Sequence, residues 1–183
     1  RGRANFAIFG GHLMASKNTD SFYCMLQPRL TELEPKTLAG KQVRMSLANN
    51  QTGLLWQSFM QQRKQLTAVN NLLYSLQLYD VDYFTAFNPS KEFTKWALAE
   101  VVETTALPEG FEHFHLPGGL YAVYHTRVTD DDYAKAWSEL YNQHLPQSGY
   151  RPAEGACYEV YLNDGMTDGY FDIDIYQSVE KAQ

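Results

Sequence analysis

The segment Ala156 to Asp164, ACYEVYLND, places one carboxylate, Glu159, in the middle of an aromatic, β-prone run. Alternation along a strand sends Tyr158, Val160 and Leu162 to one face and Cys157, Glu159 and Tyr161 to the other. An acid between a thiol and a phenol is either a surface residue on a half-solvated sheet or the charged floor of a pocket for a cationic or polarised ligand. A second candidate chemistry comes from His113 and His115, which alternate on one strand and share a face. That spacing serves a metal only if a carboxylate or third histidine converges on it. No further ligand is identifiable, so no metal is assigned. No nucleophile elbow, phosphate-cradling glycine loop or paired-cysteine motif is present, and no cofactor is implied.

The chain has 183 residues, enough for one sizeable core or two small modules packed together. Aromatic residues make up 14% and include thirteen tyrosines, more than a core alone requires. Such an excess favours a binding surface or a lined pocket beside ordinary packing, since tyrosine combines apolar area with a polar tip. The formal net charge of −6, with Lys and Arg scattered, argues against direct nucleic-acid binding, which needs a clustered basic face. Two distant cysteines, Cys24 and Cys157, point to free thiols and a reducing, cytoplasmic setting. No run approaches the roughly 20 apolar residues of a membrane span. We read residues 1–13 as appended sequence, Met14 as a native start, and the rest of 1–30 as a lead-in without clear period.

The elements that must position these residues follow from periodicity. A first strand is expected over about Thr31 to Arg44, interrupted near Pro35 and Gly40. Asn49, Asn50 and Thr52 offer caps to a helix running through LLWQSFMQQRKQL, with Leu55, Phe59 and Met60 on one face. Strands are expected over Leu72 to Asp80 and Phe93 to Glu103, joined by a loop around Asn88-Pro89. The order then repeats. A strand over Phe111 to Thr126 is broken at Pro117-Gly118-Gly119, a helix follows Asp130 to Asp132 and stops by Pro146 and Gly149, and two strands close the chain. We therefore expect an α+β fold of tandem βαββ modules, about 31–106 and 107–179, with pseudo-twofold symmetry, antiparallel sheets and one helix per module. A cleft along their seam is a natural small-molecule site.

The runs LWQSFMQQRKQL, YSLQLYD, FTKWALAEV, LPEGFEHFHLPGGLYAVYHT and HLPQSGYRP followed by CYEVY resemble, in that order, the GyrI-like, AraC-type effector-binding domain family over roughly Thr31 to Val179. The resemblance implies a small-molecule (effector) binding domain that recognises or sequesters amphipathic, cationic compounds, with links to transcription regulation or multidrug and toxin resistance. Glu159 matches the family's acidic position. Tyr176 matches the family's late-strand tyrosine, although Gln177 and Ser178 replace the Ile-Pro that often follows it. Tyr121 and Trp137 are further candidates for ligand contact, and Trp56, Phe59 and Trp96 for the opposite wall, each set against ordinary packing. Other members implied by the resemblance are gyrase-inhibitor-like proteins that bind a macromolecule and hydrolases of strained cyclopropane-containing compounds. In an enzyme of that kind Glu159 would be the acid or base.

Overall fold

The computed structural model describes residues 28–80, 83, 86, 88–129, 132–163 and 165–182. The expectations placed on residues 1–27, and on Asp130 and Asp131, lie outside that set. The first half contains β1 (Arg29–Leu33), β2 (Lys36–Ser46), α1 (Thr52–Gln62), β3 (Ala68–Leu78) and β4 (Glu92–Val101). The second contains β5 (Glu112–Leu116), β6 (Gly119–Val128), α2 (Tyr133–Glu139), α3 (Leu145–Ser148), β7 (Tyr150–Tyr161) and β8 (Phe171–Lys181). Both halves are βαββ modules whose opening strand is split in two.

All strands join one antiparallel sheet in the order β1-β6-β8-β7-β3-β4-β2-β5. The order is a palindrome in the two halves, which places the pseudo-twofold between β3 and β7. There Ser75 pairs with Glu159, so the carboxylate stands at the symmetry axis, opposite its own counterpart.

The expected first strand is in fact two strands with different partners. β1 pairs with β6 of the second half, and β5 pairs with β2 of the first. Pro35 and the Pro117-Gly118 pair mark the crossings, because proline cannot donate to a ladder and redirects the chain. A Cβ on Gly118 would sit 2.5 Å from the Leu33 carbonyl oxygen, so the two crossings pack backbone to backbone. Gly40 is no interruption, since pairing runs through it on both sides.

One sheet face carries the helices. Leu55 and Phe59 of α1 pack on Ala39, Leu73, Ala97 and Ala99, while Ala136, Leu140 and Leu145 pack on Ala122, Tyr124, Ile173 and Ile175. The alternate residues Leu38, Tyr74, Leu76, Trp96, Leu98, Tyr121, Tyr158 and Val160 form a separate core on the other face of the curled sheet. Around α1, the N-cap position is Gln51 without a side-chain cap. Asn50 instead accepts the Thr52 N–H in a local turn at 3.0 Å. After α2 the backbone widens into a π-helical turn, Leu140–His144, before α3. The Leu145 N–H closes that turn on the Leu140 carbonyl, and Pro146, next in the chain, lies within the first turn of α3, where its missing amide donor is tolerated. The helix ends at Gly149, in the left-handed conformation at φ +77°.

A polar knot ties β2, β3 and β4 together on the helix-free face. Glu100 accepts from Lys36 Nζ at 2.8 Å, Tyr74 Oη at 3.0 Å and Asn70 Nδ2 at 3.1 Å. Burial alone would raise this carboxyl, but those three donors and the Lys36 charge hold it below its usual range. A carboxyl lowered on folding stabilises above its unfolded pKa of about 4.3 and loses that contribution as pH falls through the folded value. Glu100→Gln should therefore be less stable than the parent in urea melts at about pH 7, with the difference shrinking as pH falls below the unfolded value of about 4.3 and through the lower folded one. A difference independent of pH would remove the ionised Glu100 from this role.

Candidate functional site

The two helices stand apart over the β3–β7 seam and leave a cleft of about 1450 Å³ between them. One wall is α1, with Trp56 and Met60, and the other is α2 with the following π-turn, with Tyr133, Trp137 and Tyr141. The floor comes from β3 (Leu73, Ser75, Gln77), β4 (Phe93, Lys95) and β7 (Cys157, Glu159, Tyr161). These floor residues fall at alternate positions, so the period of the strand itself aims them at the cleft.

Glu159 is 3% exposed. Trp137 Nε1 donates to its Oε1 at 2.8 Å, and Gln77 Nε2 approaches Oε2 at 3.3 Å. Lys95 Nζ lies 3.9 Å from Oε2. The rings around it are fixed to one another: Trp56 meets Tyr161 edge to face with centroids 5.4 Å apart, Tyr133 Oη donates to Tyr161 Oη at 3.0 Å, and Trp137 stacks on Tyr141. Tyr141 Oη also donates to Gln177 Oε1. Burial, followed by the neighbouring Cys157, Tyr79 and Glu159, pushes the Tyr141 phenol up. Burial, followed by Tyr133 and Glu159, does the same to Tyr161. Both rings remain neutral donors. The Cys157 thiol is pushed up to about 12, first by burial and then by the Glu159 charge. At neutral pH it is a thiol and not a nucleophile.

The seven candidates from sequence divide between two faces. Glu159, Trp137 and Trp56 meet in the cleft. Phe59 is fully buried beneath α1, against Phe111 and the sheet, and does not line the cleft. Tyr121, Tyr176 and Trp96 belong to the helix-free face: Tyr176 stacks on Tyr158, Tyr121 meets Tyr158 edge to face, and Trp96 packs on Phe114. Strand parity decides this, since Tyr158 and Tyr176 are paired neighbours pointing away from Glu159.

Tyr161 lies on the face of Glu159 as its alternation implies, whereas Lys95, Gln77 and Tyr141 are among the cleft residues that went unread in the sequence. Lys95 had a visible signal, because it interrupts the alternating apolar series Phe93, Ala97, Ala99, Val101 that faces the helices. His113 and His115 lie on β5, one of the two edge strands of the sheet. Among the described residues no three His, Cys, Asp or Glu side chains converge on a metal-sized site, and no helix is long and apolar enough to cross a membrane.

Comparison with known proteins follows the same outline. The family model described as a GyrI-like small molecule binding domain matches residues 26–180. The DNA gyrase inhibitor of Yersinia enterocolitica serotype O:8 is 69% identical over 100 residues, which cover 52% of this chain and 64% of that protein. The chain spans about half to two thirds of the length of the curated relatives it matches. Among solved structures, the EcmrR C-terminal domain aligns at a TM-score of 0.63 and 16% identity over 85% of this chain and 98% of its own. SAV2435 bound to tetraphenylphosphonium aligns at 0.60 and 13% identity over 85% and 94%. At such identities the likeness shows the fold.

Proposed function

This chain belongs to the GyrI-like small molecule binding domain family, and from that premise we propose that it holds an amphipathic, aromatic compound bearing a cationic group in the cleft between α1 and α2. The observation that carries this reading is a carboxylate buried on the cleft floor while tryptophans from both helices flank it. A cation seated there gains attraction in a poorly solvated site together with ring-face contact, each ring contributing about 0.5 to 2 kcal/mol. The cleft volume exceeds the roughly 300–1,000 Å³ of ordinary ligand pockets, which suits bulky compounds of varied shape and a sequestering or sensing role.

Tetraphenylphosphonium, the ligand held by the fold neighbour SAV2435, is a suitable first probe. Calorimetric titration should give a saturable isotherm. Glu159→Gln should weaken it tenfold or more, about 1.4 kcal/mol, and Trp137→Ala by a similar factor, while neutral triphenylphosphine oxide should respond to Trp137→Ala and far less to Glu159→Gln. Unchanged tetraphenylphosphonium affinity in both variants would place the site elsewhere.

The 69% identity to a protein named DNA gyrase inhibitor favours a second reading, in which the chain also engages gyrase. A supercoiling assay with increasing chain, repeated with the cleft saturated by tetraphenylphosphonium, separates the two. Inhibition that survives saturation assigns the gyrase contact to another surface. The hydrolase reading retains only Glu159 as acid or base, because the Cys157 thiol is held protonated. Consumption of an electrophilic ligand over hours, absent in Glu159→Gln, would identify turnover.

A further inference from the structure

The floor of the cleft carries a second charge that a purely cationic ligand would leave unanswered. Lys95 is 8% exposed and is the one Lys or Arg among the described residues that line the cleft. Its ammonium has three donors. Among the described residues its recorded partner is Glu159 Oε2 at 3.9 Å, about an ångström beyond the 2.7–2.9 Å of a charge-assisted bond. Glu159 is better supplied, with Trp137 at 2.8 Å and Gln77 at 3.3 Å. The two charges are both about nine-tenths buried or more, face the same opening, and are held side by side without closing on each other.

A lone cation entering beside Glu159 would repel the Lys95 ammonium and compete with it for that one carboxylate, and a lone anion entering beside Lys95 would do the same to Glu159. A ligand that presents both signs answers both groups at once. We infer that the natural ligand of this cleft is an amphipathic zwitterion, whose cationic centre sits at Glu159 beneath the tryptophans and whose carboxylate or comparable oxyanion closes on Lys95. The inference rests on the cleft assignment made above and adds the charge class of its occupant.

Two dyes with one ring system test it by fluorescence anisotropy: rhodamine 6G, an ester and a cation, and rhodamine 19, its free acid and a zwitterion. The unaltered protein should bind rhodamine 19 at least tenfold more tightly. Lys95→Gln should erase that preference, weakening rhodamine 19 while leaving rhodamine 6G equal or tighter, since a competing cation has gone. Rhodamine 6G bound as tightly as rhodamine 19 by the unaltered protein, and lost in Trp137→Ala, would overturn the zwitterion and keep the cleft. Binding of neither dye, together with no binding of tetraphenylphosphonium, would overturn both. The comparison within the unaltered protein stands even if the Lys95 variant folds poorly.

Discussion

Gly40→Ala is expected to abolish the cooperative urea melt, or to shift it by about 4 kcal/mol or more. A Cβ built on Gly40 would lie 1.9 Å from the Ala97 carbonyl oxygen and 2.9 Å from the Ala97 carbonyl carbon and Leu98 Cα. Every one of these is backbone of the neighbouring strand β4, so no flexible side chain can swing aside. Relief requires β2 to part from β4 along a ladder that runs from Leu38 to Ser46, while β5 pairs on the other side of the same residue. Overpacking a core typically costs about 1–3 kcal/mol because side chains and backbone share the adjustment. Here the obstacle is a paired backbone inside the sheet, which puts the change in the exceptional class, against a total stability of about 5–15 kcal/mol for a domain. Gly53→Ala is the control. Nothing lies within 4 Å of a Cβ there, in the first turn of α1, and alanine should leave stability equal or raise it by up to about 1 kcal/mol. A Gly40→Ala protein melting within about 1 kcal/mol of the parent would mean that β2 and β4 sit further apart than described.

Gly40 also shows where sequence reading reaches its limit. A glycine in an apolar alternating run signals either a break or a close backbone approach, and the two are indistinguishable until the partner strand is known. The same holds for β1 and β5. Their alternation reveals strands, yet nothing local says that each crosses to the opposite half, because those pairings join residues far apart in the chain, such as Thr31 with Tyr121 and Leu38 with Phe114. What was legible came from periods and order: the Leu55 and Phe59 face of α1, the Tyr74 and Leu76 alternation of β3, and the repeat of strand, helix, strand, strand.

The candidate site in the cleft was legible through its acid and less so through its rings. Glu159 stood out because a carboxylate is rare within a β-prone aromatic run. Tyr121, Tyr176 and Trp96 did not separate from Trp137 and Trp56, because this sheet is packed with aromatic residues on both faces. Lys95 was readable in principle from the apolar series it interrupts, but its meaning depends on β3 lying between β4 and β7, which brings it beside Glu159.

The pairing of those two residues gives the second large expected effect. Glu159→Leu should destabilise the protein by about 3–5 kcal/mol, since it leaves the Lys95 ammonium buried without a counter-charge and strips Trp137 and Gln77 of their acceptor. Lys95→Met should cost less, because the Glu159 carboxylate keeps both of those hydrogen bonds and the Met side chain fills much of the vacated volume. Near a protein surface two unit charges 4 Å apart attract by about 4 kcal/mol, but taking both out of water offsets much of that. The double variant should therefore recover a large part of the loss and melt closer to the parent than Glu159→Leu does. In a double-mutant cycle by equilibrium urea melts the coupling should be about 1–3 kcal/mol, and additivity within about 0.5 kcal/mol would show that the charges at 3.9 Å do not act on each other. The stable double variant then becomes the informative protein for binding. With an apolar floor it should retain neutral aromatic ligands and lose charged ones, which is the behaviour expected if the pair is kept in the sheet for recognition and not for stability.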